Sequence, residues 1–250
     1  MIKGSNSRRD FIRNAAYITG SAFVLSGCSG STASGNMQNN TRPVGKNEED
    51  DKEVTAVEDL MREHGILRRA LLVYSEAAVR LHKDPNSVPP DALQKTAKLF
   101  RTFGEDYHEK QLEETYIFPR LKQVGNDAAV MSDILLEQHQ RGREITDYII
   151  AVTSAGKIGA NAPVLADTLY NFVRMYAHHA AREDTILFPA WKESVSDSEF
   201  DDLREKFEDI EDAQFGEDGF ENAEQQISDI ESSMGLGDLS QLTAPPPLVQ

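Results

Sequence analysis

The amino-acid sequence predicts an all-α protein, an up-down four-helix bundle followed by one or two extra C-terminal helices. Apolar residues recur at steps of three and four along four long segments, as they do on one face of an amphipathic helix. Short loops rich in Gly, Pro and Ser separate these segments, and no long run alternates between polar and β-branched residues. Short loops favour antiparallel neighbours, so the four segments should pack as a bundle.

The first and second segments form a predicted helical hairpin. One face of the first segment carries Leu60, His64, Leu67, Leu71, Tyr74 and Ala78. The proline-rich loop 83–90 ends that helix. The second helix begins near Asp91, and its stripe consists of Leu93, Ala97, Phe100, Gly104 and His108. Because proline lacks the N–H that a helix interior needs, we expect this helix to end around Phe118-Pro119 or shortly after.

The third and fourth segments repeat this arrangement. The third runs from about Asp127 to Val152, and its stripe consists of Met131, Leu135, His139, Gly142, Thr146 and Ile149. The fourth begins near Pro163, and its stripe consists of Leu165, Leu169, Phe172, Met175, His179, Glu183 and Ile186. A capping-box pattern at residues 196–199 predicts the start of a further helix. A last stripe predicts another helix and consists of Phe220, Ala223, Ile227, Ile230 and Met234. The proline-rich tail 245–247 that follows is expected to be disordered.

The N-terminal residues 1–27 are typical of an export signal peptide rather than of a folded element. The paired arginines Arg8 and Arg9 resemble a twin-arginine signal, and the end of the apolar segment 15–25 resembles a lipoprotein cleavage site. That segment is too short for a membrane-spanning helix, which needs about 20 residues. The resemblance implies lipidation of Cys28 and a membrane-anchored lipoprotein that faces the periplasm or the cell exterior.

Composition divides the rest of the chain and restricts its chemistry. We expect residues 28–52 to form a flexible linker, residues 53–220 the bundle, and residues 221–250 a C-terminal helix and tail. Cys28 is the only cysteine, so the mature domain has no disulfide and no thiolate ligand. The chain has 42 acidic and 26 basic residues. This balance opposes nucleic acid as a partner and favours a cationic ligand or a metal.

Two stretches of the sequence resemble one another. HEKQLEETYIFPRL at 108–121 and HHAAREDTILFPAW at 178–191 each contain a histidine, then a pair of acids, then an Ile or Leu followed by Phe-Pro. The bundle therefore consists of two repeated hairpins. Each hairpin offers one histidine from its first helix and a His-acid pair from its second.

Four histidines lie on stripes that should face the core, one on each helix: His64, His108, His139 and His179. A single core histidine is usually only hydrogen-bonded, but four with acids nearby favour a bound cation. Desolvated charges must be paired or metal-bound, because their burial otherwise costs several kcal/mol. A donor set of imidazoles and carboxylates without sulfur suits iron first, then manganese or zinc. A carboxylate that bridges two ions is common in such bundles.

These motifs point to a family. EHGILRR, YHEKQLEETYIFPR, LLEQHQRGR and HHAAREDTILFPAW resemble the hemerythrin-like (HHE cation-binding) domain over roughly residues 54–220. The resemblance implies a non-heme di-iron centre, bridged by oxo or carboxylate groups, in a four-helix bundle. Carried onto this chain, it implies the metal ligands His64, His108, Glu113, His139, His179 and Glu183.

One half of the predicted site departs from the family pattern. His179 and Glu183 are four residues apart, whereas His108 and Glu113 are five apart. In a regular α-helix five residues turn the chain about 140° away, and a π-type bulge would bring the pair back to one face. We therefore predict such an irregularity near residues 110–112. Glu114 is the alternative ligand.

Several further residues are candidates near the metal. His178 is an alternative to His179, one residue off the stripe. Tyr107 and Tyr176 either donate hydrogen bonds behind the ligand histidines or only pack in the core. Arg68 and Arg143 either neutralise carboxylates or lie on the surface. No catalytic residue is assigned.

Three functions remain open on the sequence alone. The leading one is a di-iron protein that binds, senses or scavenges oxygen or nitric oxide, or stores iron, at the cell envelope. The second is a di-iron oxidase or peroxidase-type enzyme that detoxifies peroxide or nitric oxide. A ferritin-type ferroxidase is disfavoured, since only Glu105 and His108 form a Glu-x-x-His motif. The third is a structural bundle, with zinc or without metal, that interacts with an unknown protein partner.

Overall fold

The computed structural model describes residues 54–125 and 127–247, and these residues form helices and loops without a strand. The predicted all-α fold is confirmed. The predicted export signal, the lipidated cysteine Cys28 and most of the linker lie outside the described residues. Within the described ranges, every helix is either too short or too polar to cross a lipid bilayer.

The described part of the chain contains eight α-helices and two π-helical segments. The α-helices are α1 (Ala56–Lys83), α2 (Pro90–Leu99), α3 (Phe118–Val124), α4 (Asp127–Thr153), α5 (Ala162–Arg182), α6 (Phe188–Glu193), α7 (Asp197–Phe215) and α8 (Gly219–Ser233). Segment π1 (Phe100–Ile117) joins α2 to α3, and segment π2 (Glu183–Leu187) joins α5 to α6. The bundle thus has four long helical stretches: α1, α2–π1–α3, α4 and α5–π2–α6.

Local sequence explains where the helices begin and end. Thr55 and Glu58 form a full capping box at the start of α1. Ser196 caps α7 by accepting a hydrogen bond from the backbone N–H of Glu199 at 3.3 Å. Gly125 ends α3 with a φ of 71°, a conformation that glycine adopts without a steric penalty. The short loops between the long stretches follow from these signals.

One half of the bundle interior is aromatic. The ring of Phe172 lies 5.7 Å from that of Tyr74 and 5.1 Å from that of Phe100, and Tyr176 lies 4.9 Å from Phe100. All four side chains are buried. Edge-to-face packing of such rings contributes about 0.5–1.5 kcal/mol per pair beyond the area that it buries. This packed half supports the polar half of the interior, where the histidines lie.

The helix irregularity predicted near residues 110–112 is present but much longer than a single bulge. Segment π1 covers 18 residues, and at its end the N–H of Phe118 donates to the carbonyl of Glu113, five residues back. The helix was expected to end around Phe118-Pro119 or shortly after, and it continues for five residues beyond Pro119, to Val124. Pro119 lies at the junction of π1 and α3, where its missing N–H is tolerated as at a helix start.

The second repeat contains the shorter π segment at the same place. This segment changes the direction of the side chains, so the prediction that Ile186 faces the core is wrong. Ile186 is 42% exposed, whereas Leu187 is fully buried. A regular helix would have kept Ile186 on the stripe with His179 and Glu183. The wider turn of π2 shifts the stripe by one residue.

The C-terminal helices α7 and α8 pack against the bundle, as the last predicted stripe requires. Arg69 on α1 donates to Glu231 and Ser228 on α8. The guanidinium of Arg62 lies 4.4 Å from the centre of the Phe220 ring, a cation–π contact. The domain boundary that we placed after residue 220 falls inside α8, so that helix belongs with the bundle.

Helices α4 and α5 approach closely where Gly142 faces Tyr176, and the fold should depend on the absence of a side chain at Gly142. A Cβ atom at Gly142 would overlap the hydroxyl of Tyr176 and lie 3.0 Å from its ring. We expect Gly142→Ala to force this buried ring to move and to lower the free energy of unfolding by about 1–3 kcal/mol. Urea unfolding of the metal-free protein measures the change.

Gly65 in α1 provides the matched control, because a Cβ there meets nothing within 4 Å. Gly65→Ala should raise the free energy of unfolding by about 0.5–1 kcal/mol, since alanine favours a helix. Equal effects of the two substitutions would mean that the Tyr176 contact contributes nothing.

Candidate metal centre

The structure brings the six predicted ligands into one buried cluster. Each of these side chains is at most 2% exposed. Donor atoms of Glu113, His139, His179 and Glu183 lie within 4.8 Å of one another, and those of His64, His108 and Glu113 do the same. The histidines come from four different helical stretches, while the two glutamates come from π1 and π2.

The four histidines form two pairs, His64 with His108 and His139 with His179. Each glutamate faces one histidine of each pair. Glu113 points Oε1 at Nε2 of His108 and Oε2 at Nε2 of His139, both at 3.3 Å. Glu183 lies with Oε2 3.5 Å from Nε2 of His64 and with Oε1 3.0 Å from Nε2 of His179. The arrangement is therefore two histidine pairs with two carboxylates between them.

Most of the inward-facing atoms of this cluster lack hydrogen-bond partners, although Nε2 of His139 and Nε2 of His179 lie 3.1 Å apart. Both carboxylate oxygens of Glu113 and of Glu183 are buried without one, and so is Nε2 of His108. A buried polar atom without a partner costs about 1–3 kcal/mol, and more when it is charged. Because all these atoms face the same small volume, cations between them would satisfy the whole set.

The outward-facing nitrogen of every ligand histidine has a hydrogen-bond partner. Each Nδ1 lies within 3.0 Å of a side-chain oxygen, in four pairs: His64 with Asp184 (2.6 Å), His108 with Glu63 (2.7 Å), His139 with Glu114 (3.0 Å) and His179 with Gln138 (2.9 Å). An Nδ1–H donated to such an acceptor leaves Nε2 as the free donor for a metal.

These four acceptors follow a common rule. Each is the sequence neighbour of one ligand and accepts from the histidine of a different helical stretch. Glu63 adjoins His64 in sequence but accepts a hydrogen bond from His108. The other three acceptors follow the same rule: Glu114 accepts from His139, Gln138 from His179, and Asp184 from His64. The links close into a ring around the bundle, which we call the acceptor ring. Sequence reasoning missed it, although a polar residue beside each ligand was the visible signal.

The two candidate tyrosines both donate hydrogen bonds as well as packing in the core. The Tyr107 hydroxyl donates to Glu63 Oε1 at 2.8 Å, and the Tyr176 hydroxyl donates to Glu109 Oε1 at 2.6 Å. Glu109 is buried and was not among the predicted site residues. Tyr107 thus holds a member of the acceptor ring, while Tyr176 holds a second buried acid beside the centre.

The two candidate arginines neutralise carboxylates. Arg68 pairs with Asp184, and Arg143 pairs with Glu114 and, at 3.2 Å, with Glu109. Arg68 is also a surface residue, with 43% of its side chain exposed, whereas Arg143 is only 18% exposed. They hold two acceptors of the ring in place.

The two alternative ligands lie outside the inner cluster. His178 is exposed and lies against Arg182, because one residue along α5 turns the side chain away from the core. Glu114 faces Nδ1 of His139 and Arg143 rather than the Nε2 atoms. Neither residue is placed to replace the ligand beside it.

A small cavity opens beside the cluster. Its volume is about 10 Å³, space for roughly one water-sized group. The lining combines ligand residues with apolar and polar neighbours: His64, Leu67, Arg68, Leu71, His108, Glu109, Glu113, Tyr176, His179, Ala180 and Glu183. A diatomic molecule is closer to this size than an organic substrate is.

Residues 55–191, more than half of the chain, match the family model of the hemerythrin HHE cation-binding domain. The chain belongs to this family. Uncharacterized proteins of Mycobacterium bovis and Mycobacterium tuberculosis are 44% identical over 240 residues, which cover 94% of this chain and 90% of theirs. Their similarity thus extends beyond the HHE domain. No solved structure matches significantly.

Membership of the HHE family makes metal binding the expected property, and the cluster fits a metal. Two imidazoles and one oxygen from each carboxylate face each of two positions. Histidine and carboxylate donors suit iron, manganese or zinc. The identity of the metal stays a prediction.

Protons are the alternative occupants of the centre. Burial opposes a charge on His108 and on His139, but nearby carboxylates outweigh it and raise the pKa of each imidazole well above its usual range. The main carboxylates are Glu113 for His108 and Glu109 for His139. Burial also opposes a charge on Glu113, yet the two imidazoles lower the pKa of this carboxyl well below its usual range. A metal must therefore displace protons.

One further buried acid lies a turn away from the HHE cluster. Glu105 accepts a hydrogen bond from Thr146 at 2.5 Å and lies 3.0 Å from Nε of Arg101. Burial, followed by repulsion from Glu109, raises the pKa of Glu105 to about 7, against the opposing effects of Thr146 and Arg101. Glu105 therefore changes charge near neutral pH.

Metal binding should release protons. Because the pKa values of His108 and His139 are raised, we expect zinc affinity to increase between pH 6 and pH 8 by about tenfold per pH unit for each displaced proton. Calorimetry in buffers with different ionisation enthalpies counts the protons. The exposed His178→Ala variant should behave as the wild type, and binding without proton release would contradict the charged state of the imidazoles.

Glu105 should make the stability of the metal-free protein depend on pH. A carboxyl whose pKa is raised in the folded state stabilises the fold below about pH 4.5 and loses this contribution as the pH rises to about 7. We expect a loss of about 3 kcal/mol across this window, relative to Glu105→Gln. Urea unfolding at several pH values tests it.

The control for this prediction is Glu205→Gln, because the Glu205 side chain is 73% exposed. That substitution should leave the pH dependence of unfolding unchanged. Parallel pH profiles for the wild type and Glu105→Gln would show that Glu105 titrates normally.

Proposed function

We propose that this chain is a non-heme di-iron protein that binds a diatomic ligand, oxygen or nitric oxide, at the cell envelope. One observation carries the proposal: Glu113 and Glu183 each face one histidine of both pairs, and their oxygens are buried without hydrogen-bond partners. Such oxygens suit two cations that share both carboxylates.

The donor set leaves room for an external ligand. His64 and His108 would hold one iron, while His139 and His179 would hold the other. Glu113 and Glu183 would each offer an oxygen to either iron, so four protein donors would hold each iron, fewer than the six that iron commonly accepts. Iron at these positions would supply the electrons with which a diatomic ligand is bound.

The cavity supports a small ligand of low polarity. Its volume of about 10 Å³ is far below the roughly 300–1,000 Å³ of pockets that hold organic substrates. Leu67, Leu71 and Ala180 supply apolar lining, which favours a neutral diatomic molecule over an ion.

The location at the cell envelope rests on the N-terminal sequence. The twin-arginine resemblance implies export in the folded state, and a metal-loaded bundle is such a state because metal binding stabilises the fold. The lipid on Cys28 would then hold the domain at the membrane surface.

A second candidate, peroxide reduction, is favoured by the polar part of the lining. Tyr176 and Glu109 are hydrogen-bonded to one another and both line the cavity. The hydroxyl of Tyr176 is the group at this position that would give a proton to a peroxide, and Glu109 holds that hydroxyl in place. Consumption of hydrogen peroxide by the reduced protein, with its loss in Tyr176→Phe, would favour this candidate over reversible binding.

Metal analysis of the full-length protein, purified in detergent without oxygen and without added metal, tests the proposal. We expect about two irons per chain and new charge-transfer absorption when oxygen or nitric oxide is added. Zinc or manganese in place of iron, or metal content that iron reconstitution fails to restore, would contradict it.

Paired variants separate the ligands from their neighbours. His179→Ala should lose iron, whereas the adjacent and exposed His178→Ala should keep it. Glu113→Gln should weaken both irons, since this carboxylate faces both histidine pairs. Glu114→Gln should keep about two irons with affinity about tenfold lower, because Glu114 acts only through His139.

A further inference from the structure

The C-terminal hairpin α7–α8 lies outside the matched HHE residues 55–191, yet it reaches the acceptor ring. Glu211 on α7 is only 3% exposed, and its Oε2 lies 3.3 Å from the hydroxyl of Tyr107. Tyr107 donates to Glu63 Oε1 at 2.8 Å, and Glu63 Oε2 lies 2.7 Å from Nδ1 of His108. A continuous line of polar side chains therefore runs from α7 to a predicted metal ligand.

We propose that Glu211 is a positioning residue for the metal centre, which acts through Tyr107 and Glu63 to hold His108 in place. The proposal rests on the proposed function, because it concerns the affinity of the same site for iron. It makes α7 part of the metal-binding unit.

Comparison of the acceptors within the ring supports this role. Arg68 holds Asp184, and Arg143 holds Glu114. Glu63 is more deeply buried than either of these acids and receives the hydroxyl of Tyr107. A carboxylate behind a metal-bound histidine keeps its orientation only if it is itself held. Tyr107, braced by Glu211, does for Glu63 what the arginines do for the other two acids.

The surroundings of Glu211 restrict its movement. Gly219, the first residue of α8, lies so close that a Cβ would be 2.6 Å from Glu211 Oε1. Phe215, one turn further along α7, packs edge-on against the Tyr107 ring with centres 5.3 Å apart. The helix pair is fixed to α1 by the hydrogen bonds of Arg69 to α8. Glu211 and Tyr107 therefore share a tightly packed site.

Two conservative substitutions separate the reach of Glu211 from its charge. Glu211→Gln keeps the length and a polar group that can donate an amide N–H to the Tyr107 oxygen, but it removes the charge. Glu211→Asp keeps the charge, but its side chain is one methylene shorter, so the carboxylate lies farther from Tyr107. If Glu211 acts by position, the Asp variant should bind one of the two irons about tenfold more weakly, and the Gln variant should retain most of the affinity.

Ferrous iron, added to the full-length protein in detergent without oxygen and in competition with a chromophoric chelator, measures both affinities. Asp212→Asn, on the exposed side of the same helix, is the matched control and should match the wild type. The opposite order, with Gln weak and Asp normal, would show an effect of charge and overturn the positioning role. Wild-type affinity in both variants would overturn it too.

A double-mutant cycle tests the route through Tyr107. In a Tyr107→Phe background, Glu211→Asp should cause no further loss of iron affinity, because the link to Glu63 is already cut. An equal loss in both backgrounds would mean that Glu211 acts by another route, and the proposal would fail. Both substitutions are conservative, and thermal unfolding confirms that each variant is folded.

A measurement on the metal-free protein gives a readout that is independent of iron. In protein with labelled histidines, the Nδ1-bound proton of His108 should exchange with water about tenfold faster in Glu211→Asp than in Asp212→Asn. Equal exchange would overturn the proposal. Failure of the wild type to bind a pair of irons would refute the proposed function, whereas normal wild-type binding with unaffected variants would refute only the role of Glu211.

Discussion

The arrangement of the bundle depends on one constraint: four imidazoles and two carboxylates must be buried at the same level with their outer polar atoms satisfied. The acceptor ring meets this constraint. Each helical stretch carries a ligand and, directly before or after it in sequence, the acceptor for a histidine on another stretch. A shift of one stretch by one residue would break two links of the ring. The polar interior therefore fixes the register of all four stretches, which apolar packing alone specifies less strictly.

The π-helical segments follow from the same constraint. In π1 the chain must direct His108 and Glu113 to the centre, although five residues separate them, and Glu114 to His139. A regular α-helix would turn Glu113 about 140° away from His108. In π2 the neighbours Glu183 and Asp184 both face His64, one at Nε2 and the other at Nδ1. π-Helical turns are rare and often mark functional sites, and here their place in both repeats is explained by the side chains that they orient.

The sequence predicted the parts of this molecule that depend on periodicity. The helical stripes, the two extra C-terminal helices and the four core histidines follow from residues three and four apart, whereas the full set of six ligands rests on the resemblance to the HHE domain. The acceptor ring did not follow, because its links join different helices and depend on the rotation of each helix about its axis. Ile186 was misplaced for a related reason: a π turn changes the period without a signal in residue type. Glu211 lies far from the motifs in sequence, so only the packing of α7 shows its contact with Tyr107.

The balance of charge around the centre explains why metal and fold should be coupled. Glu113 and Glu183 lie inside the ring, while Glu63, Glu114 and Asp184 lie in it, and the nearby cations are the two arginines Arg68 and Arg143. Carboxylates thus outnumber permanent cations in a space with little water. In the metal-free protein, protonated imidazoles offset part of this excess. Divalent cations replace those protons with more charge at the same positions, so their binding free energy adds directly to the stability of the fold. The ring that orients the histidines for metal is therefore also the part of the bundle that gains most from metal.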